Sequence, residues 1–116
     1  MSETEILQKC RVRASKLGIV LFRNNVGALE DKNGRWVKFG LADNSPDLIG
    51  WKSLKVTADM VGEKIAVFVG IEVKTPEGMK PKGKKQKEHF ALQQDFVDAI
   101  NNAGGIGKII CSEDDL

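Results

Sequence analysis

Apolar residues recur at helical intervals in two stretches of the chain. The first stretch predicts an amphipathic helix over residues 3–17, with Ser2 as a candidate N-cap and Gly18 as a C′ stop. Its apolar stripe consists of Ile6, Leu7, Cys10, Ala14 and Leu17. The second stretch predicts a helix from about residue 85 to residue 103, ended by the "AGG" at 103–105. Its apolar side chains are Phe90, Phe96, Val97, Ala99 and Ile100.

Short runs of β-branched and aromatic residues between the helices are typical of strands. Strands are predicted at 19–25, 46–51, 64–74 and 107–111. Asn33-Gly34 lies between two further runs and predicts a hairpin with a type I′ turn and arms near 28–32 and 35–39. The stretch 52–63 is ambiguous, with a turn of helix expected around Ala58 to Val61.

The order of these elements predicts the fold class. Strands that are apolar on both faces need cover on both sides, so the two helices are expected to flank a small mixed sheet. The prediction is a three-layer α/β fold, with the hairpin as an appendage. A length of 116 residues with 41% hydrophobic residues suits a single domain, 1–116.

Composition excludes several kinds of site. The two cysteines, Cys10 and Cys111, show no CxxC spacing and are accompanied by one histidine, which argues against zinc. Both are expected to be buried thiols of a reducing compartment. The start of the chain lacks a signal-peptide pattern and no apolar run reaches transmembrane length, so we expect a cytoplasmic protein without a membrane partner.

The predicted strand 64–74 contains an unexpected pair of charges. Strand alternation places Glu72 and Lys74 on one face, behind the small or apolar Ala66, Phe68 and Gly70. Buried charges need partners. Asp47, at the start of another predicted strand, is a second candidate carboxylate, and two carboxylates suit a hard divalent cation such as Mg²⁺. A lysine beside a metal-bound water suits hydrolysis of a phosphodiester. The alternative is a structural ion pair, with Asp47 as a turn former.

These residues lie within a longer series of motifs. "SPDLIG" at 45–50 and "IEVKTPEG" at 71–78 resemble the motif of PD-(D/E)XK nucleases. The series as a whole resembles the stand-alone virus-type replication-repair nuclease (VRR-NUC) domain of phages and bacteria. It comprises "FRNNVG" at 22–27, "FGLADNSPDLIGW" at 39–51, "EVKTPEG" at 72–78, "QQDF" at 93–96 and "AGGIG" at 103–107.

The resemblance implies a restriction-endonuclease-like αβββαβ core with an inserted hairpin, and a site containing Mg²⁺ or Mn²⁺. It implies that Asp47, Glu72 and the Val73 carbonyl bind the metal and that Lys74 lies beside the attacking water. It also implies an acidic residue on the first helix. Helical spacing places Glu3 on the apolar stripe and Glu5 off it, so Glu3 is the preferred candidate.

The family also carries a glutamine on the second helix. Gln93 matches by its spacing to Phe96 and to the glycine pair that follows, with Gln86 as the alternative. Gln93 shares a helix face with Phe90, Val97 and Ile100, where an amide needs hydrogen-bond partners.

Candidate DNA contacts lie outside this catalytic set. Arg23, Asn24 and Asn25 end the first strand, where they are expected to contact the DNA backbone, to position the metal site or simply to be solvated. The net charge is only +2, but three acidic residues crowd 113–115 and five lysines crowd one segment. A solvated loop is the alternative to a phosphate contact for these lysines, Lys80, Lys82, Lys84, Lys85 and Lys87.

The expected activity is a structure-specific DNA endonuclease. The resemblance implies a homodimer that cuts branched DNA such as four-way (Holliday) junctions, without a nucleotide cofactor. A flap or single-strand nuclease and a non-catalytic DNA-binding module are the alternatives.

Overall fold

A computed structural model describes residues 2–116. Residue contacts divide the chain into two compact units, residues 1–53 (unit 1) and residues 54–116 (unit 2). Unit 1 contains helix α1 (Glu3–Lys16) and strands β1 (Ile19–Arg23), β2 (Gly27–Glu30), β3 (Trp36–Phe39) and β4 (Leu48–Lys52). Unit 2 contains strand β5 (Val69–Val73), helix α2 (Gly83–Asn102) and strand β6 (Ile106–Ile110), with 3₁₀ turns at Ala58–Met60 and Glu113–Asp115.

Helix α1 begins and ends where the sequence predicts. The Ser2 side chain accepts a hydrogen bond from the Glu5 N–H at 3.2 Å, which satisfies one of the free donors of the first turn. Gly18 follows the helix with a φ of +74°, a left-handed conformation that glycine adopts without steric cost. Helix α1 packs on β1, and Ala14 is the α1 residue buried beneath that contact.

Strands β1 and β4 pair antiparallel, from Ile19 opposite Lys52 to Arg23 opposite Leu48. The Phe22 and Trp51 rings lie 5.4 Å apart between centroids, in a tilted arrangement that is favourable for aromatic pairs. This pairing places the loop before β4 beside the end of β1.

The predicted hairpin is present, with β2 and β3 paired antiparallel, but its predicted turn type is wrong. A type I′ turn requires positive φ at two central residues, whereas only Gly34 of this turn has it, at +76°. The reason is Asp31, whose carboxylate accepts hydrogen bonds from the N–H groups of Asn33 and Arg35 at 2.8 and 2.9 Å. These bonds favour a turn in which Asn33 keeps negative φ and Gly34 closes the loop.

Unit 2 is built from β5, α2 and β6. The two strands pair in parallel, from Val69 opposite Ile106 to Val73 opposite Ile110, and α2 packs against both. Ile100 of α2 is the most buried large side chain, at 2% exposure. Ile100 packs directly on Gly70, where an added Cβ would lie 2.5 Å from the isoleucine Cδ1. Strand β5 is shorter than the predicted 64–74, because its partner β6 supplies only five paired residues.

The mixed α/β class is confirmed, with two helices and small sheets. The strands of residues 2–116 form three two-stranded sheets, β1–β4, β2–β3 and β5–β6, instead of the one mixed sheet that was predicted. The prediction that the cysteines are buried is also wrong, since Cys10 and Cys111 are exposed free thiols.

Across residues 2–116, no helix combines the length and the apolar character that crossing a membrane requires.

Candidate functional site

The charged end of β5 faces helix α2. Gly70, Glu72 and Lys74 share one face, as alternation predicts, and each meets a different turn of the helix. Glu72 Oε1 accepts a hydrogen bond of 2.7 Å from Gln93 Nε2. The carboxylate is therefore held in place from the helix, at the edge of the core of unit 2.

Lys74 lies beside the same carboxylate oxygen without a hydrogen bond to it. Its Nζ is 3.8 Å from Glu72 Oε1, an ion-pair separation beyond hydrogen-bond length. The Lys74 side chain is 19% exposed, against 40% for Glu72, and its Nζ lies 6.0 Å from the centroid of the Phe90 ring. The aromatic ring and the carboxylate both attract the ammonium group. Phe90, predicted only as an apolar residue on the same helix face as Gln93, thus also contacts the candidate lysine.

Gln93 has an amide oxygen without a partner. Within the described chain, Gln93 Oε1 is a buried side-chain atom that makes no hydrogen bond. Gln86, the alternative candidate, has a different position, since its Oε1 accepts from the N–H of Lys82 at 2.9 Å and caps α2. The structure thus places Gln93 at Glu72 and leaves its buried amide oxygen without a hydrogen bond.

Two pockets border this cluster, which consists of Glu72, Lys74 and Gln93. One, of about 480 Å³, lies beside Glu72 and Gln93 and is otherwise mainly apolar, with Phe68, Leu92 and Phe96 in its lining. The other, of about 380 Å³, contains Lys74, Lys80 and Lys82, together with Glu77 and Phe90. His89 lines both pockets, one helical turn before Gln93.

The five lysines are divided between the second pocket and the start of α2. Lys80 and Lys82 line the pocket, whereas the other three belong to the first turns of the helix, which begins at Gly83 and not near residue 85. Those three are Lys84, Lys85 and Lys87, all exposed. The first turn contains no acidic residue, so positive side chains surround the positive end of the helix dipole. This arrangement is unfavourable by itself and is relieved by a bound anion.

In unit 1, Asp47 is exposed and directly precedes β4. Its backbone carbonyl accepts from the Asn24 N–H at 2.8 Å, one residue beyond the end of β1. Arg23 and Asn25 are exposed and joined to each other, by a bond of 2.8 Å from Arg23 Nε to Asn25 Oδ1. Asn24 differs from both, because it is buried at 8% exposure.

The two acidic candidates of α1 are both exposed, in the first turn of the helix. Glu3 was expected on a buried stripe and Glu5 away from it, and that distinction is wrong. The apolar stripe is not buried at the start of α1. The buried residue of the helix, Ala14, lies more than two turns further along. Both carboxylates complement the positive end of the helix dipole.

The donor chemistry of the cluster fits a hard cation. Over residues 2–116, neither unit groups three or more His, Cys, Asp or Glu side chains that could hold a metal ion. Unit 2 does offer the Glu72 carboxylate, whose described hydrogen bond and ion pair both use Oε1, so that neither of these contacts uses Oε2. Oxygen donors of this kind, completed by water and backbone carbonyls, are those that Mg²⁺ and Mn²⁺ prefer.

No protein-family model matches this sequence, and comparisons with curated proteins and with solved structures likewise found no match.

Proposed function

We propose that the protein is a metal-dependent DNA endonuclease that hydrolyses phosphodiester bonds in branched DNA. One observation carries the proposal. The Glu72 carboxylate, at the edge of the core of unit 2, accepts a hydrogen bond from Gln93 and lies beside the ammonium of Lys74. The amide oxygen of Gln93 has no described partner. A purely structural ion pair would not need that amide oxygen to be buried and unsatisfied.

The proposed cofactor is Mg²⁺ or Mn²⁺. In unit 2 we assign its binding to Glu72 and the Val73 carbonyl. For unit 1, the resemblance of the motifs supports Asp47 as a metal ligand, with Glu3 as a further candidate. A bound divalent cation supplies positive charge that stabilises the phosphodiester transition state and makes water a better nucleophile. The motif order in the sequence supports the inclusion of Asp47, and the Oε2 of Glu72, which neither described contact uses, supports a ligand at that carboxylate.

The chain's own residues have separate tasks in this proposal. Lys74 donates hydrogen bonds to the attacking water or to a phosphate oxygen. Its positive charge stabilises the negative charge that develops on the phosphate. Gln93 holds the Glu72 carboxylate through Nε2. These tasks are consistent with a lysine ammonium that is near its carboxylate but not hydrogen-bonded to it.

DNA binding is proposed for the lysine segment. The pocket that contains Lys74 also contains Lys80 and Lys82, so one surface joins the cluster to the lysines that follow β5. Phosphates along a DNA strand would lie between these lysines and the start of α2, where positive charge lacks a described acidic partner in the first turn. Arg23 and Asn25, which are exposed, remain candidates for backbone contacts.

The resemblance of the motifs supports branched DNA as the proposed substrate. A chain of 116 residues has little surface beyond its site for recognising a substrate, so we propose that recognition takes two copies. Two copies would each contribute a site, so we propose a homodimer that nicks opposing strands of a four-way junction. The same proposal includes the αβββαβ arrangement of restriction-endonuclease-like enzymes. It also includes action in the cytoplasm of a bacterial or phage-infected cell.

A panel of DNA substrates tests this function. Four-way junctions, flaps, nicked duplexes, single strands and linear duplexes are incubated with the protein in Mn²⁺, in Mg²⁺ and in EDTA. We expect metal-dependent cleavage that is fastest on the four-way junction. Fastest cleavage of flaps or single strands would indicate the alternative nuclease, and binding without cleavage in either metal would refute the enzymatic proposal.

Neutralising the two pocket lysines is expected to weaken DNA binding and its salt dependence together. Each phosphate contact that is lost lowers the slope of log K against log salt by about 0.9, so Lys80→Gln with Lys82→Gln should lower it by about 2. Fluorescence anisotropy on a labelled junction, over a range of salt concentrations, measures the slope. Lys55→Gln with Lys64→Gln is the matched control, since both lysines are exposed and lie outside the pocket. Equal slopes for the two double variants would exclude the pocket lysines from the DNA interface.

A further inference from the structure

The side chain of Asn24 connects the end of β1 to three points of the loop before β4. Its Nδ2 donates to Ser45 Oγ at 2.7 Å and to the Pro46 carbonyl at 2.8 Å. Its Oδ1 accepts from the Leu41 N–H at 3.0 Å. The backbone N–H of the same residue donates to the Asp47 carbonyl at 2.8 Å. One buried residue therefore fixes the segment 41–47 at four positions.

The chemistry of these contacts requires an amide. The Ser45 hydroxyl already donates to the Ala42 carbonyl, at 2.6 Å, so it can only accept from residue 24. The Pro46 carbonyl is likewise an acceptor. Both bonds thus need an NH₂ group, and the Leu41 N–H needs an oxygen, a combination that asparagine provides and aspartate does not.

Apart from the bonds of Asn24, the described constraints on this segment are hydrogen bonds between Ala42 and Ser45 and an exposed ion pair between Lys38 and Asp43. The segment bends through Gly40 at a φ of +90° and Asn44 at +64°, and most of its side chains are exposed. Asp47 itself is exposed, and the described hydrogen bond that fixes its backbone is the one from the Asn24 N–H. The bonds of Asn24, together with the β1–β4 pairing that begins at Leu48, therefore determine where the Asp47 backbone lies relative to β1.

We propose that Asn24 is a positioning residue, which fixes the Asp47 carboxylate for metal binding by holding the loop 41–47. The inference rests on the proposed metal-binding role of Asp47. It removes Asn24 from the expected DNA contacts, since its amide hydrogens and its oxygen are occupied inside unit 1. A general stabilising role is the competing explanation, so the test needs a measurement that stability alone does not change.

The test uses Asn24→Asp, which keeps the size of the side chain and the acceptor for Leu41 but loses both donors. Amide hydrogen exchange is expected to accelerate at residue 24 and at Ser45, whose N–H groups bond to Asp47 and Ala42. The Kd for Mn²⁺, measured by calorimetry without DNA, is expected to rise about tenfold, as for other residues that support a metal ligand.

Asn101→Asp is the matched control in unit 2. Asn101 also uses both ends of its amide, donating to the Gly107 carbonyl at 3.0 Å and accepting from the Gly107 N–H at 2.8 Å. Its replacement should lower the melting temperature comparably and leave the Kd for Mn²⁺ unchanged. A weaker Mn²⁺ affinity in Asn24→Asp but not in Asn101→Asp supports the positioning role.

Two results would overturn the inference: an unchanged Kd for Mn²⁺ in Asn24→Asp despite faster exchange in the loop, or equal losses of affinity in both variants. Mn²⁺ binding and DNA cleavage by the unaltered protein distinguish failure of the positioning role from failure of the proposed function. If it binds Mn²⁺ but cuts no DNA, the nuclease proposal fails while the positioning test still applies. Absence of Mn²⁺ binding by the unaltered protein would overturn the positioning role as well.

Discussion

Lys74→Met is expected to lower the rate of metal-dependent DNA cleavage by about 10²- to 10³-fold, the range for loss of one group that stabilises charge in the transition state. Methionine matches the length of the lysine stem that lies beside Phe90, so the packing of this 19%-exposed side chain should persist. The loss would then be chemical. Single-turnover cleavage of a four-way junction at saturating Mn²⁺ measures the rate, and circular dichroism measures retention of the fold.

The same substitution at Lys64 provides the control, because Lys64 is an exposed lysine of unit 2 outside both pockets. Lys64→Met should cleave at the unaltered rate. Lys74→Arg should not restore activity, since a planar guanidinium cannot occupy the position of a compact ammonium beside Glu72. Cleavage by Lys74→Met within about threefold of the unaltered protein, a change too small for a lost catalytic group, would assign Lys74 to a structural ion pair.

Local patterns predicted the helices and much of the strand pattern. The Ser2 cap and Gly18 stop of α1 are local features, and both function as expected. The alternation that placed Glu72 and Lys74 on one face of β5 also holds, since it depends only on strand geometry. These features needed no knowledge of distant residues.

The errors arise where a distant or neighbouring partner decides the structure. The length of β5 depends on β6, a strand more than thirty residues later along the chain, and not on its own apolar run. The turn type at Asn33-Gly34 depends on the Asp31 carboxylate. The burial of Asn24 depends on acceptors and a donor 17 to 22 residues away, in a loop that has no periodic pattern.

In the candidate site, too, some features could be predicted from local sequence patterns and others could not. Spacing favoured Gln93 over Gln86, and the hydrogen bond to Glu72 agrees with that preference. The sequence already placed Phe90 on the helix face of Gln93, and His89 could have been found from its position four residues before Gln93. The unpartnered Gln93 oxygen had no signal in the sequence, because it depends on which side-chain atoms are buried in the folded unit.

Glu72→Gln is expected to abolish most Mn²⁺ binding and to lower cleavage by about 10²- to 10³-fold, the range seen when one group that stabilises a transition state is removed. The glutamine carbonyl can still accept from Gln93 Nε2, so the contact to α2 persists while the negative charge is lost. The ion pair with Lys74 is partly exposed and contributes about 1 kcal/mol or less, so the melting temperature should change little. Calorimetry with Mn²⁺ and cleavage assays on the four-way junction measure the two effects, with Glu63→Gln, an exposed glutamate of unit 2, as the control. Mn²⁺ affinity equal to that of the control would exclude Glu72 as a ligand, because an uncharged amide cannot replace a ligand carboxylate without loss of affinity.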